Sequence, residues 1–194
     1  MRNKIKFICT ISIMIFALSG CSKQEAKDET TEMLSITSTA DLLNNVWDTF
    51  SEDEKFSVMG GDYENSVENG AGIFNIEDTE NLTYMLYLPV DNVAMIDEAA
   101  SLIHSMNANT FTGAAFHLVD PEEADNFVVA LKENILSTQW MCGFPDKMVI
   151  FKVNGEYIVS VFGNAEIIDN FKTKLMEVYG KSAVVVAEEN IAQK

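Results

Sequence analysis

Apolar residues recur every three or four positions in four segments of the chain, which is the period of an amphipathic helix. Each segment follows a residue whose side chain can cap a helix, and these residues are Thr39, Asp78, Asp120 and Asn164. The first predicted helix spans residues 40 to about 50, the second ends before Pro89, and the fourth stops at Gly180. Pro121 occupies the first position of the third helix, so that start is the clearest in the chain.

Two pairs of apolar runs predict β-hairpins. The paired strands are 99–106 with 111–119, and 148–153 with 157–162. Polar residues 107–110 connect the first pair, and Asn154-Gly155, a dipeptide typical of two-residue turns, connects the second. A further strand is predicted at 183–186, whereas residues 51–75 contain four glycines and no sustained period, which predicts a long loop.

The order of these elements predicts the fold class. Residues 99–136 and 148–179 each run strand, strand, helix, so the chain contains a predicted pseudo-repeat. Two hairpins with helices packed on one face form an α+β domain built on a mostly antiparallel sheet. Strands and helices do not alternate one by one, which argues against a doubly wound parallel fold.

The amino terminus has the order of an export signal. Three cations and no acid precede an apolar run at 7–18, which is shorter than the roughly 20 residues needed to span a bilayer as a helix. The run ends in Leu18-Ser19-Gly20-Cys21, which resembles the lipobox of bacterial lipoproteins. The resemblance implies cleavage between Gly20 and Cys21 and thioether attachment of a diacylglycerol to Cys21. The alternative is an ordinary secretory signal in which this cysteine is incidental.

Three parts of the chain follow from this interpretation. We expect a signal peptide at 1–20, a lipidated flexible tether at 21–39 and a single α+β domain at 40–194. The tether is rich in Ser, Thr, Glu, Lys and Gln, so it cannot bury enough surface to offset its chain entropy. Two long acyl chains such as palmitate anchor a protein firmly, because each buried methylene contributes about 0.8 kcal/mol. The expected location is the extracytoplasmic face of the cell membrane.

The charge balance limits the partners of the mature chain. Losing Arg2, Lys4 and Lys6 with the signal leaves 10 cations against 30 acids, a net charge of −20 with no arginine. Such a surface repels phosphate backbones and anionic head groups, which excludes nucleic acid as a partner. Solubility is the favoured interpretation of this charge, and a cationic peptide or calcium partner is the alternative.

The residue types needed for several kinds of chemistry are too few or wrongly spaced. Cys9 leaves with the signal and Cys21 is lipidated, so Cys142 has no partner for an internal disulfide. His104 and His117 lie on opposite arms of the first predicted hairpin, without a Cys or Glu at metal-ligand spacing. No serine has a nucleophile-elbow pattern. We therefore predict no catalytic residue, no metal ligand and no cofactor, and interpret both histidines as ordinary strand residues.

Acidic residues cluster in the predicted long loop and in the short helix after it. They are Asp62, Glu64, Glu68, Glu77, Asp78 and Glu80. Their spacing misses that of an EF-hand, so a solvated acidic loop is the favoured interpretation and a calcium site is the alternative. Gly60-Gly61 lacks the lysine and hydroxyl residue that follow the glycines of a P-loop, which indicates a flexible turn.

The segment 140–145 is unusually apolar for a predicted loop. Its candidate binding surface consists of Trp140, Met141, Cys142 and Phe144, in which large aromatic side chains would anchor a partner. A loop this apolar usually packs against the core of its own domain, which is the favoured interpretation, and the binding surface is the alternative. A thioredoxin-type redox site requires Cys-x-x-Cys, because a second thiol resolves the mixed disulfide, and Pro145 stands where that second cysteine would be.

Four stretches are similar to a family of small uncharacterised lipoproteins from Gram-positive bacteria. They are Val46-Trp47-Asp48-Thr49-Phe50, Gly60-Gly61-Asp62, Met106-Asn107-Ala108-Asn109-Thr110-Phe111 and residues 140–147. The resemblance covers nearly the whole mature domain, and some members carry the label bacteriocin transport accessory protein. The label implies a thioredoxin-like accessory protein, from which this chain departs at the missing second cysteine. The family brings no active-site motif to transfer.

Two functions from different classes follow from these observations. The first is a non-enzymatic, membrane-anchored module that binds a peptide, a cell-wall component or a protein partner. It is supported by the lipid anchor, the tether and the lack of a catalytic constellation. The second is a thiol-dependent, thioredoxin-like transport accessory protein that uses Cys142.

Overall fold

An antiparallel sheet of eight strands forms the centre of the computed structural model, which describes residues 35–141 and 143–191. The strands are β1 (Val58–Gly60), β2 (Val67–Glu68), β3 (Gly72–Phe74), β4 (Ile96–His104), β5 (Phe111–Leu118), β6 (Lys147–Val153), β7 (Tyr157–Gly163) and β8 (Ala183–Asn190). Their order is β2-β1-β4-β5-β7-β6-β8, and β3 also pairs with β4. The predicted signal peptide, Cys21, most of the predicted tether and Cys142 lie outside the described residues.

Four α-helices flank the sheet in the described part of the chain. They are α1 (Thr39–Trp47), α2 (Thr79–Leu86), α3 (Ala124–Ser137) and α4 (Ala165–Tyr179). Asp78 and Asn164 cap α2 and α4 as predicted, each accepting an N–H of the first turn. Asp120 caps a single 3₁₀ turn, Pro121–Glu123, that leads into α3. At α1 the predicted cap is wrong by one residue, because Ser38 accepts the Asp41 N–H and the helix begins at Thr39.

Both predicted hairpins are present, as β4–β5 and β6–β7, which confirms the α+β class and the antiparallel sheet. Asn154 and Gly155 have φ angles of 52° and 84°, the left-handed pair that a two-residue hairpin turn requires. The hairpins stand side by side because β5 pairs with β7, from Phe111 opposite Gly163 to His117 opposite Tyr157. They therefore form one continuous sheet.

The helices pack on both faces of the sheet, so the prediction of a single covered face is wrong. Leu43 of α1 and Phe171 of α4 belong to one core, whereas Leu86 of α2 and Phe127 of α3 belong to the other. The central strands explain this arrangement, since every residue of β5 except His117 is buried. Strands that are apolar almost without interruption are typical of sheets covered on both sides.

The strand–strand–helix order recurs as predicted, in β4-β5-α3 and in β6-β7-α4. The internal symmetry ends at the helices, because α3 packs on one face and α4 on the other. As a result, α3 shares its face with α2. This placement brings the carboxyl end of α3, and the segment after it, beside α2.

Residues 51–75, predicted to be a long loop, contain three short strands instead. β1 and β3 pair with β4 in succession, with Gly60 opposite Leu102 and Gly72 opposite Ser101. Only glycine allows this approach, because a Cβ on Gly60 would lie 2.2 Å from the backbone nitrogen of Gly72. Strands of two or three residues show no period, and their glycines are otherwise a loop signal.

The folded domain begins before residue 40. Ile36 packs against the core that contains α1, and Thr39 is fully buried. The Thr39 N–H donates to a carboxylate oxygen of Glu98 on β4. The last residues of the predicted tether therefore belong to the domain. Within the described ranges, no helix is both long and apolar enough to cross a membrane.

Candidate ligand-binding groove

A groove with a volume of about 910 Å³ lies on the face of the sheet that carries α2 and α3. Its walls come from α2, from the end of α3 with residues 138–141, and from the β4–β5 turn. We call it the aromatic groove, because it is lined by Tyr63, Tyr84, Tyr87 and Trp140. An adjoining side cavity of about 420 Å³ shares four lining residues with it, namely Tyr63, Met85, Ile103 and Ala108.

Three packed rings hold the floor of the aromatic groove. The Trp140 ring lies 5.2 Å from that of Tyr87 and 5.3 Å from that of Phe162, measured between centroids. Tyr87 meets Phe162 edge-on at 5.1 Å, a favourable geometry for an aromatic pair. Burial raises the pKa of the Tyr87 phenol, and the nearby Tyr84 raises it further. The floor is therefore a preformed part of the core.

The position of Tyr87 depends on a contact between two helices. Tyr87 follows α2 in the left-handed conformation, with φ of 59°, which is rare for a bulky residue. The side-chain amide of Asn134 on α3 donates to the Tyr87 carbonyl oxygen at 2.7 Å. This bond joins the end of α2 to α3 and keeps the Tyr87 ring on the groove floor.

Exposed apolar side chains surround the groove. Twelve large apolar residues are exposed in the described ranges, and six of them line the aromatic groove or the side cavity: Met59, Tyr63, Tyr84, Val90, Met106 and Met141. Tyr84 is 74% exposed and Met106 is 85% exposed. Exposed apolar side chains that lie close together are typical of interaction sites.

Two polar atoms of groove-lining residues are buried without a hydrogen-bond partner among the described residues. They are the indole nitrogen Nε1 of Trp140 and the hydroxyl Oγ1 of Thr83. A buried polar group without a hydrogen-bond partner lowers the stability of the fold by about 1–3 kcal/mol, and most buried polar groups in proteins are hydrogen-bonded. The other polar lining residues include Asn109, Thr138 and Gln139, whose neutral amides and hydroxyl can donate and accept hydrogen bonds.

The β4–β5 turn positions the segment that follows Trp140. The side-chain amide of Asn109 donates to the Gly143 carbonyl oxygen at 3.0 Å. His104, at the end of β4, stabilises the same turn because its Nδ1 accepts the N–H of Met106 at 3.1 Å. The His104 ring also stacks on Phe56 at a centroid distance of 5.3 Å. These contacts give His104 a structural role in the wall of the side cavity.

Asp62 organises the loop that carries Tyr63. Its buried carboxylate accepts the backbone N–H groups of Glu64, Asn65 and Asn75 at 2.8–2.9 Å. Burial alone would raise the pKa of this carboxyl, but the hydrogen bonds from Asn75 and Asn65 outweigh burial and hold the pKa below its ordinary value of 3.8. Asp62 is therefore a structural acceptor whose oxygens are already engaged.

The predicted binding surface is divided by the fold. Trp140 and Met141 line the aromatic groove, Trp140 half-buried and Met141 83% exposed. Phe144 is 46% exposed and lines neither cavity, and Cys142 lies outside the described residues. Sequence reasoning missed the three tyrosines of the groove. The available signal was the spacing of Tyr84 and Tyr87, which places two aromatic residues one helical turn apart.

The remaining candidates of the sequence lie apart from this groove. His117 contacts Asp97, with Nδ1 2.5 Å from Oδ1, and its ring packs on Tyr157 at 4.8 Å. Across residues 35–141 and 143–191, no group of three His, Cys, Asp or Glu side chains is arranged to hold a metal ion. The aromatic groove is lined by apolar and neutral polar side chains and by one acid, Glu80. Comparison with known proteins finds no matching family model, no matching curated protein and no matching solved structure.

Proposed function

We propose that this protein is an exported lipoprotein, anchored to the extracytoplasmic face of the membrane through acyl chains on Cys21, and that its domain is a non-enzymatic module that binds a peptide segment of a partner. The order of cations, apolar run and Leu18-Ser19-Gly20-Cys21 supports export and lipidation. The convergence of exposed tyrosines and methionines on the aromatic groove and its side cavity supports binding. That convergence carries the proposal.

The kinds of side chain in the two cavities favour a peptide. Four methionines line them, namely Met59, Met85, Met106 and Met141. Methionine is unbranched and adaptable, so surfaces rich in it accept varied apolar side chains of a peptide. Tyrosine and tryptophan provide large, rigid contact areas at low entropic cost, and they are enriched at the centres of interfaces.

The energetics favour a segment over a single side chain. Fully burying one large apolar side chain contributes about 1.5–3 kcal/mol. Association costs about 4–15 kcal/mol in lost freedom, so several such side chains must be buried together. The aromatic groove lies within the range of roughly 300–1,000 Å³ that is typical of ligand sites, and the side cavity extends it. The exposed side-chain amide of Gln139, which lines the groove, can hydrogen-bond to a peptide backbone.

A blocking substitution tests this proposal. Ala108 is exposed in the β4–β5 turn and lines both cavities, so Ala108→Trp places an indole in the groove while leaving the core intact. Ala94 is exposed, lines neither cavity, and supplies the matched control Ala94→Trp. The mature lipidated protein in nanodiscs is used to select binders from a displayed library of random peptides.

We expect the selected peptides to bind wild type and Ala94→Trp equally and to bind Ala108→Trp at least about tenfold more weakly, a loss of about 1.4 kcal/mol. Enriched peptides that bind all three proteins equally, or no enrichment at all, would overturn the proposal. The thiol-dependent function predicted for Cys142 stays a prediction, because that residue lies outside the described ranges.

A further inference from the structure

Resting on the proposed function, we infer that the peptide bound in the aromatic groove is cationic and is recognised by Glu80 and by a lining that contains no lysine among the described residues. The part of the sequence that supplies most of the groove is strongly acidic. Between Lys55 and Lys132 the chain contains 13 acidic residues and neither lysine nor arginine. The side cavity is lined entirely by residues of this acidic stretch, and most of the lining of the aromatic groove comes from it.

Most lysines in the described part of the domain form ion pairs away from the groove. Six of them form ion pairs with acids outside the groove lining, namely Lys55, Lys132, Lys147, Lys152, Lys172 and Lys174. Lys132, which comes nearest in sequence, lies 2.6 Å from a carboxylate oxygen of Glu189. Among the described residues, neither the groove nor the side cavity is lined by a lysine. Within residues 35–141 and 143–191, therefore, no lining lysine neutralises an acid at this site.

Glu80 is the acid placed to contact a ligand directly. It lies in the first turn of α2, is exposed and lines the aromatic groove. Among the described residues it has no ion-pair partner. Asp62, which lines the side cavity, differs from Glu80 because its carboxylate oxygens already accept hydrogen bonds from backbone N–H groups. A positive side chain of the ligand would thus find an available carboxylate at Glu80.

The aromatic rings of the groove also favour a positively charged ligand. The faces of tyrosine and tryptophan rings carry partial negative charge and attract lysine or arginine side chains. Tyr63 and Tyr84 line the groove and are 71% and 74% exposed. A peptide with apolar and basic residues would therefore satisfy both the apolar contacts and the acidic field, whereas an acidic peptide would be repelled.

The charges of the selected peptides test the inference. We expect groove-dependent peptides, defined by weaker binding to Ala108→Trp, to be enriched in lysine and arginine relative to the unselected library. Their affinity should fall at least about tenfold between low salt and near-physiological salt, where the Debye length shortens to about 8 Å. Glu80→Gln should weaken binding about two- to fivefold, because an exposed charge pair contributes modestly.

Glu177→Gln is the matched control, because Glu177 is an exposed acid on α4, across the sheet from the groove. This variant should bind like wild type. Groove-dependent peptides that are neutral or acidic, or whose affinity does not change with salt, would overturn the inference and leave the proposed function standing. Equal effects of Glu80→Gln and Glu177→Gln would overturn the role of Glu80. The absence of any groove-dependent peptide would overturn both proposals.

Discussion

Asn134 and Tyr87 are joined by a 2.7 Å hydrogen bond from the side-chain amide of α3 to the carbonyl oxygen of the residue that ends α2. The bond links two helices that are separated by a hairpin in the chain. It holds Tyr87 in a backbone conformation with φ of 59° that a bulky residue seldom adopts. The position of Tyr87 in the aromatic groove therefore depends on a contact with α3 as well as on α2.

Removing this amide should destabilise the domain. Asn134→Ala loses the hydrogen bond and leaves the Tyr87 carbonyl poorly paired, which we expect to lower the free energy of unfolding by about 1–2 kcal/mol. Urea denaturation followed by tryptophan fluorescence measures the change. Asn126→Ala is the control, because the Asn126 amide donates to the exposed Glu123, and its effect should stay within about 0.5 kcal/mol. Equal losses for the two variants would contradict this role of Asn134.

Asp62 should make stability depend on pH. Its pKa is lower in the folded protein than the ordinary value of 3.8, so its contribution is present above that value and is lost as the pH falls through the folded pKa. Asp62→Asn replaces one acceptor oxygen by a donor that faces backbone N–H groups. We expect a loss of about 1–3 kcal/mol at pH 7 and a smaller loss near pH 3. Urea denaturation at both pH values measures the difference, and an equal loss at both would contradict the assignment.

Two tyrosines of the groove should separate binding from stability. Tyr84 is 74% exposed, so Tyr84→Ala should change the free energy of unfolding by less than about 0.5 kcal/mol while weakening peptide binding. Tyr87 packs on Trp140 and Phe162, so Tyr87→Ala should cost about 2 kcal/mol or more. Denaturation and fluorescence anisotropy with a selected peptide measure the two effects. A Tyr84→Ala variant that binds like wild type would remove Tyr84 from the proposed site.

Lipidation has a direct chemical readout. We expect mass spectrometry of the protein from its native host to show a mature chain that begins at Cys21 and carries acyl chains. Cys21→Ala should lack the lipid and retain the leader. An intact leader on the wild-type protein, or a mature start elsewhere without fatty acid, would contradict the proposed anchor.

Much of the fold could be predicted where local chemistry determines the structure. Asp78, Asn164 and Asn154-Gly155 act through their neighbours in sequence, so their helix caps and hairpin turn follow from short motifs. The short strands at Gly60 and Gly72 were missed because their conformation depends on close approach to each other and on pairing with β4. The second covered face does not follow from the order of the elements, because it depends on how nearly continuous the buried run of β5 is.

The candidate site could be predicted only in part, because it also depends on contacts between residues that are far apart in sequence. Trp140 stood out because a large aromatic residue in a loop is unusual, and it does line the groove. Tyr63, Tyr84 and Tyr87 come from a loop and a helix far from Trp140 in sequence. Only the packing of α2 beside the end of α3 brings them together, and no local pattern in the sequence reports that packing.

Hydrogen–deuterium exchange of the mature protein, with and without a selected peptide, tests most directly whether the aromatic groove is the binding site. Ligand contact and ordering slow the exchange of the amides they cover. We predict slower exchange in α2, in the β4–β5 turn and in residues 138–141, with no change in α4. Protection confined to α4 or to β8, with α2 and the β4–β5 turn unchanged, would contradict the account.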